Sequence, residues 1–318
     1  MSSPKVLFMG TPDFAVAILD ALVKDGVEIV GVVTAPDKPA GRGKKLRESD
    51  VKKYAVENSL NLIQPMNLKN SDFLSDLQDL NADLFVVVAF RMLPEVVWGM
   101  PPMGTINLHA SLLPNYRGAA PIHRAILNGE TKTGVSTFFI EKEIDTGEIL
   151  EQEEVLIGSN ETVGELYGRL MHLGASCTVS TVRKLQEGTL TGIPQNNYDQ
   201  SDLKSAPKIF KEDGLLNFNL SAQEVHNHIR GLDPYPAAWC RMHNADRDQT
   251  KTYKLFGSEV TGQESKESTS LKAEADGILF PCSDFFVKVT SIQAEGKRRM
   301  NFKDFLAGNS IESLKIVE

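Results

Sequence analysis

Cysteine is scarce in this chain of 318 residues. Cys177, Cys240 and Cys282 lie far apart and form no Cys-x-x-Cys pair, which argues against a disulfide framework and a zinc ribbon. That scarcity fits a reducing cytoplasm. No apolar run approaches the ~20 residues of a membrane-spanning helix. Met1-Ser2-Ser3-Pro4-Lys5 leads straight into a short apolar strand with no signal peptide. Positive charge is also in deficit, with 34 Lys and Arg against 42 Asp and Glu, a net charge of -8. A uniformly basic nucleic-acid coat is excluded, while local basic patches remain possible. Nucleotide-binding signatures are missing too. Gly10-Thr-Pro-Asp-Phe14 is no dinucleotide fingerprint, and Gly41-Arg-Gly-Lys-Lys45 lacks the first glycine and the Ser or Thr of a P-loop. These absences predict a soluble cytoplasmic protein; the chain is long enough to need no disulfide or metal staples, and a monomer without a metal is expected.

What is present is ordinary globular composition, 41% hydrophobic and 24% charged. At ~150 residues per domain the length predicts about two domains. Strand-like runs at Lys5–Gly10, Val27–Val33 and Leu84–Ala89 alternate with helical patterns at Pro12–Lys24 and Asp50–Asn58. Runs such as Leu84-Phe-Val-Val-Val-Ala89 lack polar alternation, as in parallel sheets covered on both faces. The pattern predicts a doubly wound α/β sheet. Further strands are expected at Thr105–His109, Val135–Ile140 and Ile149–Ile157, with helices at Pro121–Leu127 and Glu161–Glu187. Thr162 and Glu165 supply a capping box at the start of the last. Residues 190–206 are polar and turn-rich and read as a linker. Domain boundaries are therefore placed at 1–189 and 207–318, the second a small β-rich barrel. Parts of 244–276 are polar enough for mobile loops.

Asn107 and His109 end one predicted strand on the same side, where open α/β sheets gather ligands. Asn can donate to a developing oxyanion and His can carry a proton near neutral pH. Asp145, in a turn between two strands, is a candidate to orient the imidazole. On spacing alone, caps for local turns explain Asn107 and His109 equally well.

The run Asn107-Leu-His109-Ala-Ser-Leu-Leu-Pro114, with Arg117-Gly118 and Asp145-Thr-Gly147, resembles the 10-formyltetrahydrofolate-dependent formyltransferase family. Lys38-Pro-Ala-Gly-Arg-Gly-Lys-Lys-Leu46, Ala206-Pro-Lys-Ile209 and Ile229–Trp239 resemble the members of that family that act on methionyl-tRNA. The resemblance implies a Rossmann-like, mostly parallel sheet domain followed by an OB-like barrel. It implies formyl transfer from 10-formyltetrahydrofolate, which leaves as tetrahydrofolate, to initiator methionyl-tRNA. Asn107, His109 and Asp145 would be the catalytic set. Phe90, Arg91, Met92 and Leu93, with Ser111, Leu112, Leu113 and Pro114, would line the folate pocket. For Phe90 and Leu93, plain core packing is an equal reading. Where relatives often carry glycine the chain has Glu143, which predicts an altered turn.

Between Lys38 and Lys53 there are seven basic side chains against Glu48 and Asp50 alone. With the resemblance, Arg42, Lys44 and Lys45 are expected on tRNA phosphates. Lys297, Arg298 and Arg299 either flank the same RNA or form a charged edge that blocks strand pairing. His226 and His228 do not share a helix face and read as structural or surface residues, not a metal pair. Trp239 is expected in the core. An amino-sugar formyltransferase, or an inert folate- or RNA-binding protein, stays open as an alternative.

Overall fold

The computed structural model describes residues 4–40, 45–265 and 270–317; for Pro39, Ala40 and Lys45 it describes the backbone only. The chain divides into two compact units. The first holds the residues through Gly118, Gly134–Val155 and Gly168–Ser205. The second holds Ala119–Thr133, Leu156–Tyr167 and the chain from Ala206 onward. This division differs from a single cut between residues 189 and 207. Two segments placed by sequence in the catalytic part cluster with the C-terminal part, and most of the expected linker clusters with the first unit.

The elements of the first half are β1 (Lys5–Gly10), α1 (Asp13–Lys24), β2 (Glu28–Val33), β3 (Lys38–Ala40) and β4 (Lys45–Arg47). Then come α2 (Asp50–Glu57), β5 (Leu62–Ile63), α3 (Ser71–Asp79), β6 (Leu84–Val88), α4 (Glu95–Trp98) and β7 (Thr105–His109). α5 (Pro121–Leu127), β8 (Lys132–Phe139), β9 (Ile149–Leu156) and α6 (Val163–Glu187) follow. The main sheet runs β5-β2-β1-β6-β7-β8-β9, parallel from β5 through β7 and antiparallel at β7–β8. Strand order reverses between β1 and β6, which makes their carboxyl ends the place where such sheets bind ligands. At Gly10, on the end of β1, a Cβ would lie 2.5 Å from that of Ala15, so only glycine lets α1 turn this tightly off the strand. Leu7, Met9, Val33, Phe85 and Val87 pack with Phe73, Leu77 and Val97 of the helices. Burial on both faces is why these strands carry no polar alternation.

β3 and β4 stand apart as a two-stranded antiparallel ribbon, with Lys38 opposite Arg47. Its base is braced. Lys52 pairs with Asp37 at 2.5 Å and Glu48 at 2.7 Å, and Ser49 caps α2 while its hydroxyl meets that of Thr34 at 2.8 Å. Hydrogen bonds from Lys52 and Gln64 hold the Asp37 carboxyl below its usual range, despite some desolvation.

The second unit is built on α7 (Ala222–Leu232), β10 (Ala238–Asn244), β11 (Gln249–Glu264), β12 (Lys272–Ala273) and β13 (Ile278–Pro281). It continues with β14 (Phe285–Ala294), β15 (Met300–Asn301), α8 (Phe302–Leu306) and β16 (Leu314–Ile316). Its sheet runs β12-β13-β14-β11-β10-β16, with antiparallel pairing, curled into a half-barrel. Ala222, Val225, Ile229 and Leu232 of α7 fill it, packed on Cys240, Leu255, Phe280, Val287 and Phe305. β11 occupies much of the stretch expected to be loops. Tyr253 and Leu255 turn into the core and Phe256 is buried on the opposite face, while Thr250, Lys251 and Glu264 stay exposed. Trp239 is half-buried rather than core, its indole N–H donating to the Lys211 carbonyl at 3.0 Å.

Candidate active site

β7 carries Asn107 and His109 to its carboxyl end. His109 is buried, and its Nε2 lies 2.8 Å from the Tyr116 carbonyl. A carbonyl only accepts, so Nε2 bears a hydrogen. Nδ1, the other ring nitrogen, faces Asp145 Oδ2 at 3.8 Å. That is ion-pair range but longer than a hydrogen bond, and closing it takes about 1 Å of movement. The Phe138 ring packs perpendicular to the imidazole, centroids 6.5 Å apart.

The Asn107 carboxamide makes no hydrogen bond among the described residues. No buried side-chain polar atom there lacks a partner, so the carboxamide of this half-buried residue reaches solvent. An amide donor left free at a strand end suits an oxyanion; an amide capping a turn would already be engaged.

Asp145 sits at φ 56°, a backbone region that costs a non-glycine residue roughly 1–3 kcal/mol. Its Oδ2 accepts the Gly118 N–H at 2.9 Å. Two residues on, a Cβ on Gly147 would lie 1.8 Å from the Phe139 carbonyl, so glycine is required there. Glu143 does not share this constraint. It is exposed, outside the left-handed region, and its carbonyl accepts from the Thr146 hydroxyl at 3.2 Å. The backbone strain of this turn falls on Asp145 and not on the residue that replaces glycine.

The loop from Ser111 to Gly118 is fastened from beneath. The Ser136 hydroxyl donates to the Ser111 carbonyl at 2.7 Å and accepts from Leu113 N–H at 3.0 Å. Gln152 donates to the Leu113 carbonyl at 2.9 Å, and the Ser111 hydroxyl donates to Asn115 O at 2.7 Å. Ser111, Leu113 and Pro114 are buried and Leu112 is half-buried, so these side chains hold the loop. Of the other expected folate contacts, Leu93 is buried in the sheet core and Phe90 packs half-buried against it. Arg91 stacks 5.6 Å over the Phe90 ring and donates to the Pro65 and Met66 carbonyls, and Met92 is exposed. Phe90 to Leu93 follow the end of β6, beside the β7 end that carries Asn107 and His109.

Sequence reasoning missed Gln195, which lies in the expected linker and is 4% exposed. Its Oε1 accepts from Arg117 Nε at 2.9 Å, and its Nε2 donates to the Asp145 carbonyl at 2.9 Å and the Gly147 carbonyl at 2.8 Å. Its only signal was Pro194, which starts the short 3-10 turn Gln195–Asn197. The Tyr116 carbonyl was also missed, because a backbone acceptor leaves no trace in residue type.

Arg42 and Lys44 lie outside the described residues, and Lys45 is described by its backbone alone. Lys52 and Lys53 face Asp37, Glu48 and Asp50, so they add little free charge to the ribbon. Lys297 to Arg299 form the turn between β14 and β15. Arg299 bonds Asp233 at 3.1 Å and the Ser291 hydroxyl at 3.0 Å, and lies 4.1 Å over the Phe256 ring. Lys297 and Arg298 are exposed. His226 and His228 are both engaged, His226 with Ser258 and the Ser159 carbonyl and His228 with the Asp213 carbonyl. Burial pushes the thiols of Cys177, Cys240 and Cys282 up to about 12, which leaves no thiolate for nucleophilic work.

A doubly wound unit gathers an amide, an imidazole and a carboxylate at a strand's carboxyl end, a candidate polar site. Residues 4–182 match the family model described as formyl transferase, and residues 208–310 match the formyl transferase C-terminal domain. The chain belongs to the formyl transferase family. A methionyl-tRNA formyltransferase of Flavobacterium johnsoniae is 47% identical over 309 residues, 97% of each chain. One from Bacteroides fragilis is 46% identical over 307 residues, 96% of this chain and 94% of the relative. Among solved structures, HypX from Aquifex aeolicus in complex with tetrahydrofolic acid matches with a TM-score of 0.64 at 16% identity. That match covers 96% of this chain and 47% of HypX, and shows likeness of fold.

Proposed function

We propose that the protein transfers the formyl group of 10-formyltetrahydrofolate to the α-amino group of initiator methionyl-tRNA, releasing tetrahydrofolate. The reading is carried by the Asn107 carboxamide, free beside an imidazole whose Nδ1 faces Asp145. The full-length identity to methionyl-tRNA formyltransferases supports the choice of amine.

In this mechanism the amine nitrogen adds to the formyl carbon, and charge gathers on the carbonyl oxygen. Asn107 donates to that oxygen, with His109 beside it. His109 takes the proton leaving the amine at Nδ1 and passes it to the departing folate nitrogen. The new C–N bond then remains and the old one breaks. Asp145, brought about 1 Å closer, stabilises the imidazolium between those transfers. No covalent bond to the protein forms.

Phe90 to Leu93 and the Ser111–Pro114 loop flank the donor in this reading, the loop residues acting through backbone shape. The β3–β4 ribbon meets the tRNA. Lys38 opposite Arg47 is a repulsive cross-strand pair that an RNA phosphate would relieve. Arg42, Lys44 and Lys45 extend that charge, and Lys297 and Arg298 add a second contact. The protein works as a cytoplasmic monomer in this account; among the described residues no helix is long and apolar enough to cross a membrane.

The test is formyl transfer from labelled 10-formyltetrahydrofolate, with initiator and elongator methionyl-tRNA side by side. Turnover of the initiator alone supports the proposal. Turnover of a nucleotide amino sugar with neither tRNA used would replace it.

A further inference from the structure

Gln195 fills a position that the chemistry above leaves without an owner. Asp145 is held in a costly backbone conformation, and such residues persist only where their surroundings over-determine them. The two amide hydrogens of Gln195 go to the carbonyls of Asp145 and Gly147, at 2.9 and 2.8 Å. Its oxygen takes both Nε and Nη2 of Arg117, at 2.9 and 2.5 Å. Both donors and both lone pairs are thus used. No other natural side chain of that length offers two donors and an acceptor in one plane.

The neighbours of Gln195 fix it in turn. Ile193 and Ile149 exchange backbone hydrogen bonds at 2.8 and 2.9 Å, which sets the segment against the start of β9. Arg117 lies between Tyr116, whose carbonyl holds the imidazole, and Gly118, whose N–H holds the carboxylate. One buried carboxamide therefore ties the turn that carries Asp145 to the loop that anchors both members of the His109–Asp145 pair.

We infer that Gln195 is a positioning residue for formyl transfer, setting the Asp145 carboxylate against His109 through the Asp145–Gly147 turn and Arg117. The inference rests on the functional reading above. Removing the amide donors lets the turn relax and carries the carboxylate away from Nδ1, without touching either substrate. A misplacement of about 1 Å can cost ~100-fold in rate.

The experiment uses the full chain as wild type, Gln195→Ala and Gln195→Glu. The glutamate keeps the size and the Arg117 partner but turns an acceptor oxygen toward two carbonyls. In both variants kcat falls ~100-fold while KM for folate and tRNA changes less than about twofold. Independently of turnover, the Gly118 amide proton resonance moves upfield, because its carboxylate acceptor has withdrawn. Should Gln195→Ala not fold, Gln195→Glu carries the test. Wild-type kcat in a folded variant, a rise in KM alone, or an unmoved Gly118 resonance overturns the inference. A wild-type chain without formyl transfer instead sinks the functional reading, and the Gly118 resonance still decides whether Gln195 sets the carboxylate.

Discussion

His109 Nε2 donates to the Tyr116 carbonyl at 2.8 Å, so the backbone fixes the tautomer of this imidazole. Nδ1 is turned toward Asp145. The imidazole is thus a ring pinned from one side by a loop and faced from the other by a carboxylate. Four expectations follow from that arrangement and from the second unit.

Asn107→Ala removes a donor that no other described side chain engages. Loss of one oxyanion donor typically costs ~100- to 1000-fold in kcat. The thermal midpoint stays close to wild type, because a free amide contributes no native hydrogen bond. Turnover within a few-fold of wild type would take Asn107 out of the mechanism.

Asp145→Asn keeps an oxygen for the Gly118 N–H but removes the negative charge facing Nδ1. Losing that support should lower kcat by about 100-fold, the scale of general acid–base assistance. Folate affinity, read by fluorescence titration, should hold. Weakened folate binding at unchanged kcat would assign Asp145 to the pocket and not to the proton path.

Arg298→Ala and Arg299→Ala should part company. Arg298 is exposed, and its loss should weaken tRNA binding and flatten the salt dependence by about one phosphate contact. Arg299 partners Asp233, which is buried, and covers Phe256. Its removal leaves a buried carboxylate with one fewer donor and should cost about 1–3 kcal/mol of stability. Urea melts beside filter-binding isotherms separate the two, and equal effects of both variants on both readouts would refute the division.

Histidines in the second unit predict a pH dependence of folding. Burial, the largest influence in each case, pushes the imidazoles of His123, His226 and His228 below the ordinary 6.5. Backbone carbonyl bonds oppose the shift in part. The unfolded chain therefore takes up protons near 6.5 that the folded chain refuses. Their share of stability is fully present above about pH 6.5 and drains away as the pH falls. The thermal midpoint should decline between about pH 7 and pH 5.5, and His226→Gln should lessen the decline. A midpoint that is flat over that range would show that these rings are not kept neutral by the fold.

The candidate site was legible in sequence wherever its groups are side chains on regular elements. Thr105–His109 formed the expected strand, and its alternation carried Asn107 and His109 to one end. Thr162 and Glu165 made the expected capping box, with Glu165 accepting from Thr162 N–H at 2.8 Å. What escaped depends on backbone groups and on contacts across the chain. Gln195 looked like linker because its partners, Arg117, Asp145 and Gly147, lie far off in sequence. Lys52 counted as free charge in the basic segment because nothing local says that Asp37 will meet it. β11 was under-read because one face of a sheet strand is polar by necessity.

The composition of the second unit has a genetic consequence. Leu127 of α5 meets α7 at Gly231, where an added Cβ would lie 3.1 Å from its side chain. Residues on either side of β8 and β9 belong to the same body as the half-barrel. A gene severed near codon 206 would give a first polypeptide that keeps every segment of its own unit and a second that lacks Ala119–Thr133 and Leu156–Tyr167, so the half-barrel is not encoded as one uninterrupted cassette.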